Sequence, residues 1–356
     1  MESSQLKKLR NKIDVLDRKL LAILNQRAAV VKKIAAWKEM MKKPGFDPSR
    51  EKIVVERLKS LNRGPLDARE VELIMETIFR VYRSYSGPFT IAYLGPAGTF
   101  THQAALKRFG ERDRYVPCKT IGHVFQEVEK QHADFGVVPI ENSNEGVVTH
   151  TLDMFLESDL VVNAEILLEI HHCLLSSQSR ISGIKKIYSH PQALGQCRQW
   201  LEEHLPSAHQ VETESTIQAV QLAKKTRLAA AIAPETAAAI YQMKVVADSI
   251  EDYRENITRF LVIGKTSAQR SGNDKTSILF SIKDRVGALH DMLVPFKNHQ
   301  INLTRIESRP TRRKAWEYVF FVDFYGHVDE ERVKSALKEL SQQCVYMRVL
   351  GSYPAG

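Results

Sequence analysis

Residues 5 to about 43 carry an apolar stripe longer than a compact monomer can hide. Leu6, Leu9, Ile13, Leu16, Leu20, Leu24, Val31, Ile34 and Trp37 recur at spacings near three, four and seven, which marks one face of a helix. At 1.5 Å per residue that helix is about 55 Å long. Pro44-Gly45 stops it, and two shorter helical stretches follow, near 48–61 and 67–85, before Gly87-Pro88. Three helices in so few residues cannot fold back over the whole stripe. The spacing therefore predicts a partner along it, most simply a second copy of the chain.

At Thr90 the texture changes. Short apolar runs at Thr90–Leu94, Phe135–Pro139, Leu160–Leu175, Ile184–Ser189, Leu228–Ala233 and Arg259–Gly264 read as strands. Helical stretches near 101–109, 191–204 and 215–225 lie between them, the alternation of an α/β domain. Residues 266–274 form a polar linker. A β-α-β-β-α-β pattern follows, with strands near 275–283, 300–308, 315–325 and 344–350 and helices near 287–298 and 329–342. That order predicts a ferredoxin-like sandwich. At 356 residues the chain has room for these three domains.

Charge is uneven. Residues 1–87 hold 20 Lys/Arg against 11 Asp/Glu, and the 51 and 42 of the whole chain leave 31 of each for residues 88–356. The basic excess of the first segment calls for an anionic partner. Nucleic acid is disfavoured, because no aromatic residues interleave the cations and no helix-turn-helix or finger is visible. No apolar run is long enough to span a bilayer and no signal peptide opens the chain, so a soluble cytoplasmic protein is expected. The four cysteines are scattered without a CxxC pair, which suits reduced thiols. His171-His172-Cys173 lacks metal-site spacing, and neither a metal nor a cofactor is expected.

On the long helix, Arg27 and Lys38 are 11 residues apart, within about 20° of one face. Two long cationic side chains there can converge on a small dianion, whereas Arg10, about 25 Å from Arg27, reaches such a site only from a second chain. The run Leu9-Arg10-x-Lys12-Ile13-Asp14-x-Leu16-Asp17-x-x-Leu20-Leu21, with Arg27, Lys38 and Asp47-x-x-Arg50-Glu51, resembles the all-helical chorismate mutases over residues 5–87. The resemblance implies an intertwined dimer. In it Arg10 crosses from the other subunit, Arg27, Lys38 and Arg50 hold the carboxylates and ether oxygen of chorismate, and Glu51 binds the ring hydroxyl with Asp47 in support. The rearrangement to prephenate is pericyclic and needs only a gripped conformer and stabilised charge, work suited to guanidinium groups. Tyr82 and Ser86 occupy positions where the family carries a small or hydroxyl residue and then a glutamine or glutamate.

Residues 88–265 carry five ordered blocks. They are Gly95-Pro96-Ala97-Gly98-Thr99-Phe100-Thr101-His102, Gly136-Val137-Val138-Pro139-Ile140-Glu141-Asn142-Ser143-x-Glu145-Gly146, Ser189-His190-Pro191-Gln192-Ala193-Leu194-x-Gln196-Cys197, Ser215-Thr216, and Asn256-x-Thr258-Arg259-Phe260. Together they resemble the prephenate dehydratases. The resemblance implies two α/β lobes like those of periplasmic binding proteins, with a cleft between them. Thr258 would attend the departing ring hydroxyl and Arg259 would clamp a carboxylate. Thr99, Glu141, Asn142, Ser143, Ser189, Gln192, Gln196, Ser215, Thr216 and Phe260 would line or complete the site. Helix N-capping is the competing role for Thr99 and Ser215.

In the last segment, Gly287-Ala288-Leu289-His290 and Asn302-Leu303-Thr304-Arg305-Ile306-Glu307-Ser308-Arg309-Pro310 resemble the amino-acid-binding ACT domain over residues 275–352. The resemblance implies that phenylalanine binds at a subunit interface, with Gly287, Ala288, Leu289, His290, Asn302, Leu303, Glu307 and Ser308 as its contacts. The three resemblances together point to the bifunctional chorismate mutase–prephenate dehydratases: multidomain, feedback-inhibited and homodimeric, with a tetramer left open. Two alternatives stand beside this. One is a dehydratase whose degenerate mutase helices serve assembly or regulation. The other is a two-lobed sensor that binds without turnover.

Overall fold

The computed structural model describes residues 4–41, 45–83, 85, 87–253, 255–282, 285–310 and 318–356. The chain divides into two compact units, one of residues 1–47 with 55–88 and one of residues 48–54 with 89–356.

Three helices come first: α1 Ser4–Met40, α2 Pro48–Leu61 and α3 Ala68–Arg83. Pro44, the expected stop of α1, lies outside the described residues. α3 opens with a capping box, in which Asp67 Oδ1 accepts from the Glu70 N–H and Glu70 Oε2 accepts from the Asp67 N–H, each at 2.8 Å. Most of the α1 stripe is exposed, including Ile13, Leu16, Leu20 and Ile34.

The larger unit continues with β1 Thr90–Leu94, α4 Phe100–Phe109, β2 Arg114–Cys118, α5 Ile121–Glu129, β3 Phe135–Asn142, β4 Gly146–Val147, α6 Thr149–Glu157 and β5 Val161–Glu169. Next come β6 Cys173–Ser176, β7 Lys186–Ser189, α7 Pro191–Gln196, α8 Arg198–His204, β8 His209–Glu212, α9 Thr216–Lys225, β9 Ala229–Ala233, α10 Glu235–Tyr241, β10 Lys244–Ala247 and β11 Ile257–Gly264. The last part is β12 Asp274–Ile282, α11 Ala288–Asn298, β13 Leu303–Pro310, β14 Tyr318–Tyr325, α12 Glu331–Gln343 and β15 Cys344–Pro354.

These strands make three sheets, ordered β2-β1-β3-β11-β5 with β4 beside β3, β10-β6-β9-β7-β8, and β13-β14-β12-β15. The run 160–175, expected as one strand, is two strands in different sheets, with Ile170-His171-His172 passing between them. The chain returns from the second sheet to the first through residues 248–256, and Ile170 N–H bonds the Asn256 carbonyl at 2.8 Å where the two passages meet. The second sheet is therefore a lobe inserted into the first.

The first lobe packs Val124, Phe125, Ile140, Leu152, Phe155 and Leu261 against one another. The second closes on Ala229–Ala233, whose small side chains let helices pack closely on both sides. The third sheet alternates cleanly. Ile278, Phe280, Val322 and Phe324 pack under α11 and α12, while Leu279, Phe321 and Tyr353 join the core of the first lobe. A sheet buried on both faces leaves few solvent-facing positions along its central strands.

Candidate functional site

In the smaller unit, the guanidinium of Arg27 stands 4.9 Å from the Tyr82 ring centroid and 5.3 Å from that of Phe79. Its Nη1 is buried and, among the described residues, has no hydrogen-bond partner. A buried N–H without an acceptor is costly, so the site calls for an anion. Lys38 Nζ donates to the Gly45 carbonyl at 3.4 Å. Arg10 is exposed on α1, and Asp47 is half-buried ahead of α2. Arg50 and Glu51, in the first turn of α2, group with the larger unit, where Glu51 lies 3.4 Å from Arg108. The Tyr82 hydroxyl donates to the Leu24 carbonyl at 2.7 Å from a buried position, so this residue braces α3 on α1. Ser86 lies outside the described residues.

In the larger unit, β3 and β11 run antiparallel with Thr258 opposite Asn142. Asn142 Oδ1 accepts from the backbone N–H groups of Asn144 (3.0 Å) and Glu145 (3.1 Å). That fixes the amide, whose Nδ2 donates to Thr258 Oγ1 at 2.8 Å and Asn256 Oδ1 at 2.7 Å. The Thr258 hydroxyl is thus an acceptor here, and its own proton is left for another partner. Asn256 Nδ2 reaches Gln196 Oε1 at 3.4 Å, the same oxygen that His172 Nε2 meets at 2.7 Å. Gln196 Nε2 donates to Glu145 Oε1 at 3.4 Å. Because Gln196 belongs to the second lobe, this chain of amides crosses the seam between the lobes.

Burial pulls the His172 imidazole below its usual range and leaves it neutral. Its bond to a carbonyl oxygen puts the hydrogen on Nε2. Its Nδ1 is buried with no partner among the described residues. Behind it, Glu251 accepts from His171 Nδ1 and from the His172 N–H, both at 2.8 Å. Burial alone would raise the Glu251 carboxyl, but these bonds hold it below the ordinary value, and the same carboxylate raises His171. Glu145 is exposed on its loop, and partial desolvation there raises its carboxyl above the ordinary value. A cavity of about 350 Å³ lies on the His171 side, bordered by Gln103, Cys173, Glu235 and Asp248.

Other expected residues sit elsewhere. Arg259, the expected carboxylate clamp, points away from Thr258 because neighbours on a strand face opposite ways. Its guanidinium is engaged by Glu165 (2.7 Å), Asp323 (2.5 Å) and the Tyr353 hydroxyl (2.8 Å). Glu141, opposite Arg259, also leaves the Thr258 face and meets Arg305 at 3.6 Å. Phe260 is core, and the buried Ser189 hydroxyl donates to the Ile232 carbonyl at 2.8 Å. Thr99 and Ser215 are N-caps of α4 and α9, accepting from His102 and Gln218, and Thr216 is the half-buried first residue of α9. Ser143 Oγ accepts from the Ile257 N–H at 3.0 Å and closes the turn after β3, and Gln192 is exposed on α7.

Asn256, Glu145, His172 and Glu251 were not among the expected site residues. The Asn256-x-Thr258 spacing signalled the first, since residues two apart on a strand share a face. His172 and Glu251 are joined across 79 residues, which no local pattern reveals.

In the C-terminal domain a cavity of about 400 Å³ is lined by Ile282, Arg285, Gly287, Ala288, Leu289, His290, Tyr318 and Phe320. Gly287 has φ +78°, a conformation glycine adopts freely, and it caps α11. The expected contacts Leu303, Glu307 and Ser308 lie instead on β13, the sheet's edge strand, and Asn302 immediately precedes it.

Family comparisons agree with this geometry. Residues 9–86 match the type II chorismate mutases, residues 91–268 the prephenate dehydratases and residues 276–342 the ACT domains. A bifunctional chorismate mutase/prephenate dehydratase of Aquifex aeolicus is 48% identical over 98% of both chains. A solved prephenate dehydratase of Arthrobacter aurescens in complex with L-Phe is 36% identical, covering 75% of this chain and 90% of its own with a TM-score of 0.69. A structure described as a quorum-quenching acylase, GqqA, is 26% identical with the same TM-score and covers 75% of this chain and 98% of its own. The chain belongs to the bifunctional chorismate mutase/prephenate dehydratase family. Three domains in one order, with the fold of each, define that class.

Proposed function

We propose that the chain catalyses two successive reactions, chorismate to prephenate in the helical unit and prephenate to phenylpyruvate, water and CO₂ in the two-lobed domain. Phenylalanine, held in the cavity around Gly287, restrains the second. In the first reaction Arg27 and Lys38 grip the carboxylates and the ether oxygen, with Arg10 supplied by a second copy.

In the second, the bond from ring carbon to carboxylate breaks, its electron pair makes the ring aromatic, and the ring C–O bond breaks. Hydroxide leaves only if a proton reaches it. The observation that carries this reading is the hydrogen-bond polarity at Thr258, whose oxygen accepts from Asn142 and whose proton is directed elsewhere. Thr258 donates to the leaving oxygen. The Glu145 carboxyl, held at the same seam by Gln196, is the group we assign to protonate that oxygen directly and make water.

The exposed α1 stripe supports a homodimer, and the four free cysteines suit a reducing cytoplasm. Among the described residues no helix is long and apolar enough to cross a membrane.

Assaying the purified chain with chorismate, and following chorismate loss and phenylpyruvate formation separately, tests the whole. Both should proceed, and phenylalanine should lower only the second. Conversion of added prephenate with chorismate untouched would reduce the helices to an assembly module. No reaction with either would sink the enzymatic reading.

A further inference from the structure

Strand alternation gives the dehydratase motifs two faces. Thr258 and Asn142, register partners, face the seam between the lobes; Arg259 and Glu141, the next pair on the same strands, face the C-terminal sheet. On that sheet Asp323 and Arg305 are register partners as well. Arg259 meets Asp323 at 2.5 Å and Glu141 meets Arg305 at 3.6 Å. Four charges of alternating sign therefore form a square, two from each domain. Around it, Glu165 takes Arg259 at 2.7 Å and Lys275 at 2.8 Å, and Ser277 meets both Asp323 and Tyr353 at 2.6 Å.

The corners differ. At the first, Arg259 is 10% and Asp323 8% exposed, and burial of Asp323 is outweighed by the cation beside it. At the second, Arg305 is 9% exposed, yet its Nε and Nη2 have no hydrogen-bond partner among the described residues. One corner is closed and the other is loosely made. Buried charges of this kind fix one relative placement of two surfaces, since sliding strips an ion of its partner.

The cavity around Gly287 shares β14, which carries Asp323 of the square, and β12, whose Ser277 bonds that carboxylate. Ile282 is on β12 with Ser277, and Tyr318 and Phe320 are on β14 with Asp323. Three to five residues separate lining from square, about 10–17 Å along the strands.

We propose that this square carries occupancy of the Gly287 cavity to the dehydratase site, with Arg259 and Glu141 as the positioning residues for Thr258 and Asn142. A shift of β14 displaces Asp323 and, through its register partner on β13, Arg305. β11 follows because the buried Arg259 cannot be left bare, and Glu141 on β3 follows Arg305. The inference rests on the regulatory reading above and supplies its route.

The experiment uses the full chain. The unaltered protein is first tested for inhibition by phenylalanine; its absence would overturn the regulatory reading and this inference with it. Tyr353→Phe, which keeps the ring but removes the hydroxyl shared by Arg259 and Ser277, and Arg305→Gln, which opens the loose corner, are then compared with it. Each is read for prephenate kcat and KM and for phenylalanine affinity by calorimetry. Either variant that folds is expected to bind phenylalanine within about threefold of the unaltered chain and to keep its kcat, while the inhibition factor falls at least about fivefold. Because coupling is reciprocal, prephenate should also cease to weaken phenylalanine binding in that variant. Variants that bind phenylalanine and are inhibited like the unaltered chain would show the square to be structural only, and so would a loss of inhibition explained wholly by lost phenylalanine binding.

Discussion

In the reaction we propose, Thr258 is a weak acid attending a poor leaving group, and its neighbours decide whether it can. Asn142 is held by two backbone N–H groups, so it can only donate to Thr258. Thr258→Val should lower dehydratase kcat by about 10²–10⁴ with mutase activity unchanged, and Thr258→Ser should restore part of it. Gln196→Leu should leave the His172 Nε2–H and Asn256 amide unpaired, costing about 1–3 kcal/mol per buried group in denaturant unfolding. The His171–Glu251 pair carries a pH signature. The raised imidazole stabilises the fold below 6.5 and loses that contribution as pH rises through its higher folded value. The lowered carboxyl contributes above 4.5 and loses its share as pH falls through its lower folded value. Thermal unfolding followed against pH should therefore show the pair's contribution across that window and its loss on both sides, and Glu251→Gln should flatten it. Thr258, Asn142 and Gln196 each stand in a motif visible in the sequence, but the register that joins them in one network is not visible there. Arg259 was expected as a clamp because its residue type suits a carboxylate; that Glu165 and Asp323 lie behind its strand and engage it cannot be read from the strand itself.

Among elements, α1 was the most legible and remains the least enclosed. Its apolar stripe follows a helical period, yet Leu16 is 61% and Leu20 55% exposed. Helices in proteins draw most of their stability from packing of such a face, which is the ground for the second chain we propose as its cover. Leu16→Lys with Leu20→Lys should shift the protein toward monomer in analytical ultracentrifugation and abolish mutase activity, while prephenate turnover persists. The run 160–175 was the least legible. Both halves are apolar and β-prone, and nothing in their pattern records that β5 and β6 belong to different sheets. The difference is set by long-range partners, Ile257–Gly264 for one half and Ala229–Ala233 for the other.

For the molecule as a whole, domain order and the ferredoxin-like sheet order were readable from the spacing of elements. The burial of that sheet's second face against the first lobe was not. Gly351 marks the closest approach, where an added Cβ would overlap the Val162 carbonyl oxygen and lie 3.0 Å from its nitrogen. Gly351→Ala should therefore part β15 from β5 and lower unfolding stability by about 3 kcal/mol or more, read as a fall in Tm. The inserted lobe adds a different property. Its entry and exit strands leave the first lobe side by side, joined by the bond from Ile170 to Asn256. The two passages between the lobes are therefore tied together at one pivot point. Asn256 is both part of that pivot and a link in the chain from Thr258 to Gln196. The junction between the lobes and the placement of the Thr258 hydroxyl therefore share one residue, so a change in that strap also changes the donor we propose for the reaction.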